Sequence, residues 1–432
     1  MTKRTVNLSV PVLARVEGEG ALDLSIENGE IGRLALRIFE PPRLFEKFLE
    51  GRGYMEVPDM VARICGICPV AYQMSAVQAL ESILGIEPTP WIRDMRRLFY
   101  CGEWIESHSL HIHLLAAPDF LGFANAIDLA GKHPAIVRRG LRIQEAGNAI
   151  ISFLGGRSVH PVGVRVGGFW HAPAAAAAAK LLEELQALLP EAEALVLWTA
   201  ALPLPRETQD FECVSLGHAG EYPITRGRIV SSRGLDISIA AFADEFQESH
   251  APHSTALHSH HRGQDYLVGP LARLNLNLDQ LPAPTRALLE RCGMRFPSFN
   301  VFHSIVARAL EIHAAFVEAI RLLEAYAPTA TPYLEAAPRA GVGFGASEAP
   351  RGILWHRYEL NEDGSIASAR IVPPTSQNQA RIEADLRASL HRFGLEQPEE
   401  KIRQHEETVI RNYDPCISCA THFLKLSIKH KA

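Results

Sequence analysis

Hydrophobic and polar positions along this chain follow two periods. Leu22, Leu24 and Ile26 alternate with polar residues, Asn28-Gly29 supplies a turn, and Leu34, Leu36 and Ile38 alternate again, which predicts a β-hairpin. A second hairpin is predicted from residues 353–360 and 366–372, which flank Asn361-Glu-Asp-Gly364. Between the hairpins, helical spacing dominates, over residues 72–85, 93–115, 134–155, 280–292, 300–326 and 378–411. Residues 174–189 add an alanine-rich helix with high intrinsic propensity, and Pro173 before it suits a first turn. No fixed repeat or linker divides the chain. The expected fold is therefore α+β, mainly α: one domain over residues 1–432, with a helical body and a small β part from the two hairpins.

Composition narrows the function classes. A chain that is 47% hydrophobic and 21% charged can bury a large core. A net charge of −6 with 7% aromatic residues gives nucleic-acid binding no support. The longest candidate membrane run, 171–201, is interrupted by Lys180, Glu183 and Glu184, so no membrane span is expected. The first residues move straight into alternating apolar positions without a leader pattern. Seven cysteines, an odd number, do not read as a disulfide framework, and the reducing cytoplasm is the expected compartment.

Four of those cysteines form two tight pairs at opposite ends of the chain, Cys65-Gly-Ile-Cys68 and Cys416-Ile-Ser-Cys419. Each pair can grip one metal ion from one short segment, and together they can supply four thiolates. By donor type alone, structural zinc comes first and an iron–sulfur cluster second. Two features argue against plain zinc. Zinc knuckles close short loops, whereas a large helical body separates these pairs. Charged neighbours, Arg63, Asp414 and His422, point towards a reactive metal. Cys101, Cys213 and Cys292 are isolated and read as buried apolar residues.

The wider motifs Arg63-Ile-Cys65-Gly-Ile-Cys68 and Asp414-Pro-Cys416-Ile-Ser-Cys419-Ala-Thr-His422 resemble those of the large, catalytic subunit of [NiFe] hydrogenases. Arg15-Val-Glu17-Gly, Arg43-Leu-Phe-Glu46 and Glu348-Ala-Pro-Arg351-Gly resemble further motifs of that family. Looser similarity, in IESHSLHIHLLAAPDF and HSHHRG, is to the cytoplasmic sulfhydrogenase, NADP-linked bidirectional type.

The resemblance implies heterolytic cleavage and formation of hydrogen at nickel and an iron carrying CO and two cyanides. Cys65 and Cys416 would be terminal nickel ligands, and Cys68 and Cys419 would bridge to iron. Cys416 would accept the proton, with Arg351 as helper, and Glu17 would relay it. Glu46, the Ile371 carbonyl and His422 would hold magnesium or a similar ion. Pro350, Arg351 and Thr375 would line the pocket of the diatomic ligands, with Asp119 and Asp414 pairing to Arg351. His160 matches a motif beside the active site. His108, His111 and His113 on a helix, and the stretch from His250 to His261, read as structural or hydrogen-bonding residues. Residues 423–432 would be a C-terminal extension removed on maturation.

Partners follow from the same resemblance: an iron–sulfur small subunit, flavin and NAD(P)-binding diaphorase subunits, a maturation endopeptidase and nickel-insertion proteins. Gly341-Val-Gly-Phe-Gly345 is a poor dinucleotide fingerprint, so NAD(P) would bind elsewhere. Two rival readings are a metal-free coupling subunit of the complex I type and a zinc-stapled structural protein.

Overall fold

In the computed structural model, which describes residues 5–421, both expected hairpins form, and each is extended by a strand the periodicity does not reveal. Thr5–Val10 pairs antiparallel with Gly20–Glu27, which pairs with Glu30–Ile38. Asn28 and Gly29 both take positive φ, 56° and 83°, the backbone that a two-residue hairpin loop between right-twisted strands demands. At the other end Gly341–Ala349, Gly352–Leu360 and Ile366–Val372 form a second antiparallel sheet. The tip between its first two strands is Pro350-Arg351, so the arginine is presented by a tight turn.

Gly341-Val-Gly-Phe-Gly345 thus lies within a strand, against the helix Pro69–Leu84. A Cβ on Gly345 would stand 2.0 Å from the Ser75 carbonyl oxygen. The glycines let strand and helix approach, a use quite apart from nucleotide binding.

Four long helices, Pro90–Leu110, Pro134–Gly155, Ala175–Ala200 and Ser304–Glu324, make the body of the molecule and share its largest core. The alanine-rich helix runs beyond its expected end, through Pro190 to Ala200. Leu181, Leu185, Ala192 and Leu195 bury one stripe on both sides of the proline, and that packing outweighs the lost hydrogen bond. The segment expected as one helix over 378–411 is two, Pro374–Phe393 and Glu399–Asn412, separated at Gly394 with φ 106°. Past Leu110 the chain adds a π-helical turn, His111–Ala116, and then Ala117–Leu121. A second core joins the N-terminal sheet to the helices Pro374–Phe393 and Glu399–Asn412.

Shorter strands escaped the periodicity altogether. Glu212–Gly217, Arg228–Ser231, Asp236–Ile237 and Tyr266–Leu267 form one sheet. The histidine-rich stretch is a hairpin of Phe246–His250 and Leu257–His261. No single helix among the described residues is long and apolar enough to cross a membrane.

Candidate metal centre

The two ends of the chain meet at the cysteines. Cys65 follows the short helix Val57–Val61, and Cys68 immediately precedes Pro69–Leu84, where Pro69 suits the first turn. Cys416 precedes, and Cys419 lies in, the single turn Ile417–Ala420. Their sulfurs converge: Cys65 Sγ lies 3.4 Å from Cys416 Sγ, and Cys68 Sγ lies 3.5 Å from Cys419 Sγ. Cys416 and Cys419 are 2.7 Å apart, and all four ligand atoms lie within 4.8 Å of one another. All four cysteines are buried. Four thiolates this close repel one another unless a cation lies among them. Burial accordingly pushes the Cys416 and Cys419 thiols up, whereas hydrogen bonds from Cys416, Cys419 and Cys68 pull Cys65 down.

Beside the sulfurs is a small cavity of about 10 Å³ lined by Cys68, Tyr72, Pro350, Arg351, Cys416 and Cys419, among others. Two buried donors on its wall, Arg351 Nη1 and the Tyr72 hydroxyl, have no hydrogen-bond partner. Soft donors on one side and unpaired hydrogen-bond donors on the other fit a thiolate-held metal pair carrying small acceptor ligands.

Arg351 is held from behind. Its Nη2 donates to Asp414 Oδ1 at 3.0 Å and its Nε to the Asp414 carbonyl at 2.7 Å. Burial works against this cation, but Asp414 and the neighbouring thiols outweigh it and push its pKa up further. Asp414 itself takes φ 55°. Burial favours its neutral form, yet Arg351, His111 and Arg308 hold its pKa below the usual carboxylate value. His111 Nδ1 accepts from Arg308 Nε at 3.0 Å, so its Nε2 is the nitrogen that donates to the Arg411 carbonyl.

Glu17 sits against the C-terminal pair. Its carbonyl accepts from the Ile417 amide at 3.0 Å, and its Oε2 accepts from the Ser418 amide at 3.0 Å. Burial, and then the charge on Cys65, push its pKa up against hydrogen bonds from Ser418 and Cys416. Gly18, with φ 86°, makes this approach possible: a Cβ there would stand 2.7 Å from Ile417 Cβ.

The other expected residues divide. Thr375 Oγ1 accepts from the Cys416 amide at 3.0 Å. Glu46 Oε1 accepts from the Ile371 amide at 2.7 Å, which brings these two residues together. His160, at φ 49°, lies near the first pair, with Nδ1 2.7 Å from the Ala62 carbonyl oxygen. His422 and the tail after it lie outside the described residues.

Asp119 departs from the expectation. Its carboxylate does not pair with Arg351 but bridges Arg15 and Arg411, with Oδ2 2.7 Å from Arg411 Nε. Asp119 lies just past the π-helical turn and joins the N-terminal segment, through Arg15, to the helix Glu399–Asn412, through Arg411.

Several residues that organise the site were given no role by the sequence, although Arg43 opens one of its motifs. Glu103 accepts from the amides of Val70 and Ala71 at 2.6 and 3.1 Å, capping the helix that starts after Cys68. Burial, above all, keeps its pKa well above the ordinary value, and that of Glu106 as well. Arg43 Nη2 reaches the carbonyls of Ile64 and Ser418, tying the two cysteine segments together. The helical i, i+3 spacing of Glu103 and Glu106 within the apolar run from Leu98 to Ile105 and just beyond it was the available sign for that pair.

Comparison with known proteins agrees with this geometry. The family described as nickel-dependent hydrogenase matches residues 43–139 and 244–422. The alpha subunit of sulfhydrogenase 2 from Pyrococcus furiosus is 33% identical, over 95% of this chain and 98% of its own length. The beta subunit of the NAD-reducing hydrogenase HoxS from Cupriavidus necator is 28% identical, over 96% of this chain and 95% of its own. Among solved structures, an NAD+-reducing [NiFe]-hydrogenase in the H2-reduced state superposes with a TM-score of 0.85 at 27% identity, covering 96% of this chain and 99% of that one. The chain belongs to the nickel-dependent hydrogenase family, as a large subunit with its four cysteines positioned for nickel and iron. It is an oxidoreductase acting on hydrogen. Retention of all four thiols on one centre sets aside the metal-free coupling subunit, and family membership sets aside the zinc staple.

Proposed function

We propose that Cys65 and Cys416 are the terminal nickel ligands, that Cys68 and Cys419 bridge to an iron carrying CO and two cyanides, and that Glu17 relays the proton. When bound, such a centre supplies the polarisation that separates dihydrogen into a hydride equivalent and a proton. The observation that carries the reading is the convergence of four buried sulfurs on one another, three of them lining a cavity walled by Pro350 and Arg351.

The chain's own residues then have distinct tasks. Cys416 Sγ takes the proton, with Arg351 alongside as helper, and the Glu17 carboxylate receives it; burial raises the pKa of this carboxylate, so it holds a proton more readily than a free one. Arg351 Nη1 and the Thr375 hydroxyl offer hydrogen bonds to cyanide, and Asp414 holds Arg351 in place. His160 braces the loop after Ala62. Glu46, the Ile371 carbonyl and His422 hold magnesium or a similar ion, a role supported by the closeness of Glu46 to Ile371.

No second cysteine cluster lies among the described residues, so electrons leave through an iron–sulfur small subunit and pass on to flavin and NAD(P)-binding subunits. An endopeptidase removes residues 423–432 after nickel-insertion proteins have loaded the site, in the cytoplasm. Intact mass of the active chain ending at His422 is the expected result, and a retained tail rejects this maturation step.

Nickel and iron analysis with infrared spectra of bound CO and cyanide tests the centre. Glu17→Gln keeps an acceptor for the Ser418 amide but cannot titrate. Hydrogen turnover should fall by about 100-fold or more with nickel and iron retained. Unchanged turnover removes Glu17 from the relay.

A further inference from the structure

Away from the cysteines, the histidine-rich hairpin carries a second set of metal-type donors. His253 lies in its connecting loop, His258 lies on its strand Leu257–His261, and Glu383 comes from the helix Pro374–Phe393. One ligand atom from each lies within 4.8 Å of the other two. His253 Nε2 stands 2.7 Å from Glu383 Oε1, and that oxygen also accepts from the Leu36 amide at 2.9 Å. The carboxylate is therefore oriented by the end of the N-terminal sheet, as an outer hydrogen bond orients a metal ligand.

His258 is the independent sign. It is 6% exposed, and its Nε2 is buried without a hydrogen-bond partner. An imidazole normally satisfies both nitrogens when buried, because an unpaired polar atom there costs about 1–3 kcal/mol. A cation would satisfy it.

We propose that His253, His258 and Glu383 bind one borderline divalent transition-metal ion, of which zinc is the representative. Two imidazoles and a carboxylate are a zinc donor set, and a water would complete a tetrahedron. Hard cations are disfavoured by two nitrogen donors. The site joins three elements: the hairpin, the N-terminal sheet through Leu36, and the helix whose first turn places Thr375 on the Cys416 amide. Thr255, in the same loop, already ties it to that sheet by donating to the carbonyls of Ile38 and Glu40. The ion acts as a clip at this junction and takes no part in hydrogen chemistry.

The test uses the intact hydrogenase complex with nickel and iron counted. Wild-type protein, stripped of loosely held metal and titrated with zinc, should bind one equivalent beyond any taken up by His258→Ala, and cobalt at the same site should give tetrahedral visible absorption. His258→Ala and the more conservative His253→Gln should each weaken that binding by more than the 10- to 100-fold typical of losing an outer hydrogen bond. His171→Ala, an exposed control, should bind as wild type does. Zinc should raise the unfolding temperature of wild type and of neither site variant, with hydrogen turnover unchanged in all. The proposal is overturned if wild type takes up no additional zinc at micromolar concentration. It is overturned equally if both site variants bind zinc like the control.

Discussion

Replacing Asp119 by Ala separates two accounts of that carboxylate. As it stands, Asp119 holds Arg15, from the segment that carries Glu17, against Arg411, from the helix that leads into Asp414 and Cys416. Its side chain is 9% exposed and that of Arg411 3%. Removing one partner of a buried ion pair costs about 3–5 kcal/mol, because an uncompensated charge remains. Arg411 keeps Glu407, at 2.9 Å, so the lower end, about 3 kcal/mol, applies. Arg15 and Arg411 would then face each other with no carboxylate between them.

The loss should appear as local opening. Leu13 donates to the Gly20 carbonyl, Asp414 to Arg411 and Ile417 to Glu17, and these amides report on the two clamped segments. A loss of about 3 kcal/mol is about a hundredfold in the opening equilibrium. Hydrogen exchange of the intact complex should therefore accelerate by about that factor at these amides. The infrared bands of CO and cyanide should stay where they are, since Asp119 does not touch Arg351. Asp119→Asn, which keeps an acceptor, should fall between the two. Unaltered exchange together with displaced cyanide bands would refute the clamp and return Asp119 to the arginine over the metals.

Two other consequences can be measured directly. Gly345→Ala places a methyl 2.0 Å from the Ser75 carbonyl oxygen, so strand and helix must separate; a loss of about 1–3 kcal/mol, read as a lower unfolding temperature, is expected. Burial lowers the pKa of His108 to about 4 and those of His111 and His113 to about 3. The unfolded chain then binds more protons than the folded one between pH 6.5 and about 3, so stability falls as pH drops through that window. For His108 alone the loss is about 3 kcal/mol, and His108→Gln should flatten the acid limb of a denaturation-against-pH curve; an unchanged slope counts against the buried neutral ring.

What could be read from the chain depended on how local the cause was. The hairpin at Asn28-Gly29 was legible because two residues set its backbone and alternation sets its faces. The strand Gly341–Ala349 was not, because its glycines answer to a helix far away in sequence. The metal centre was legible from Cys-x-x-Cys spacing joined to the flanking Arg63, Asp414 and His422. Its supports were not: Glu103 caps a helix that lies well before it in the chain, and Arg43 matters only once Ile64 and Ser418 lie side by side. Asp119 shows the same limit from the other side. A carboxylate in the expected place chose different arginines, because Arg15 and Arg411 reached it first in space.

The direct pairing of Glu17 with Cys416 also sets an order of events during synthesis. Cys65 and Cys68 leave the ribosome early and can form only a two-sulfur half-site, while Glu17 waits without its neighbour. The remaining two sulfurs arrive after nearly the whole helical body has been made and has had time to fold. An ion meeting the growing chain is therefore offered a weak, open grip, and strong capture becomes possible only when the last strap of chain slides in beside Gly18. Until its last residues are made, the chain therefore offers two of the four sulfurs and no more.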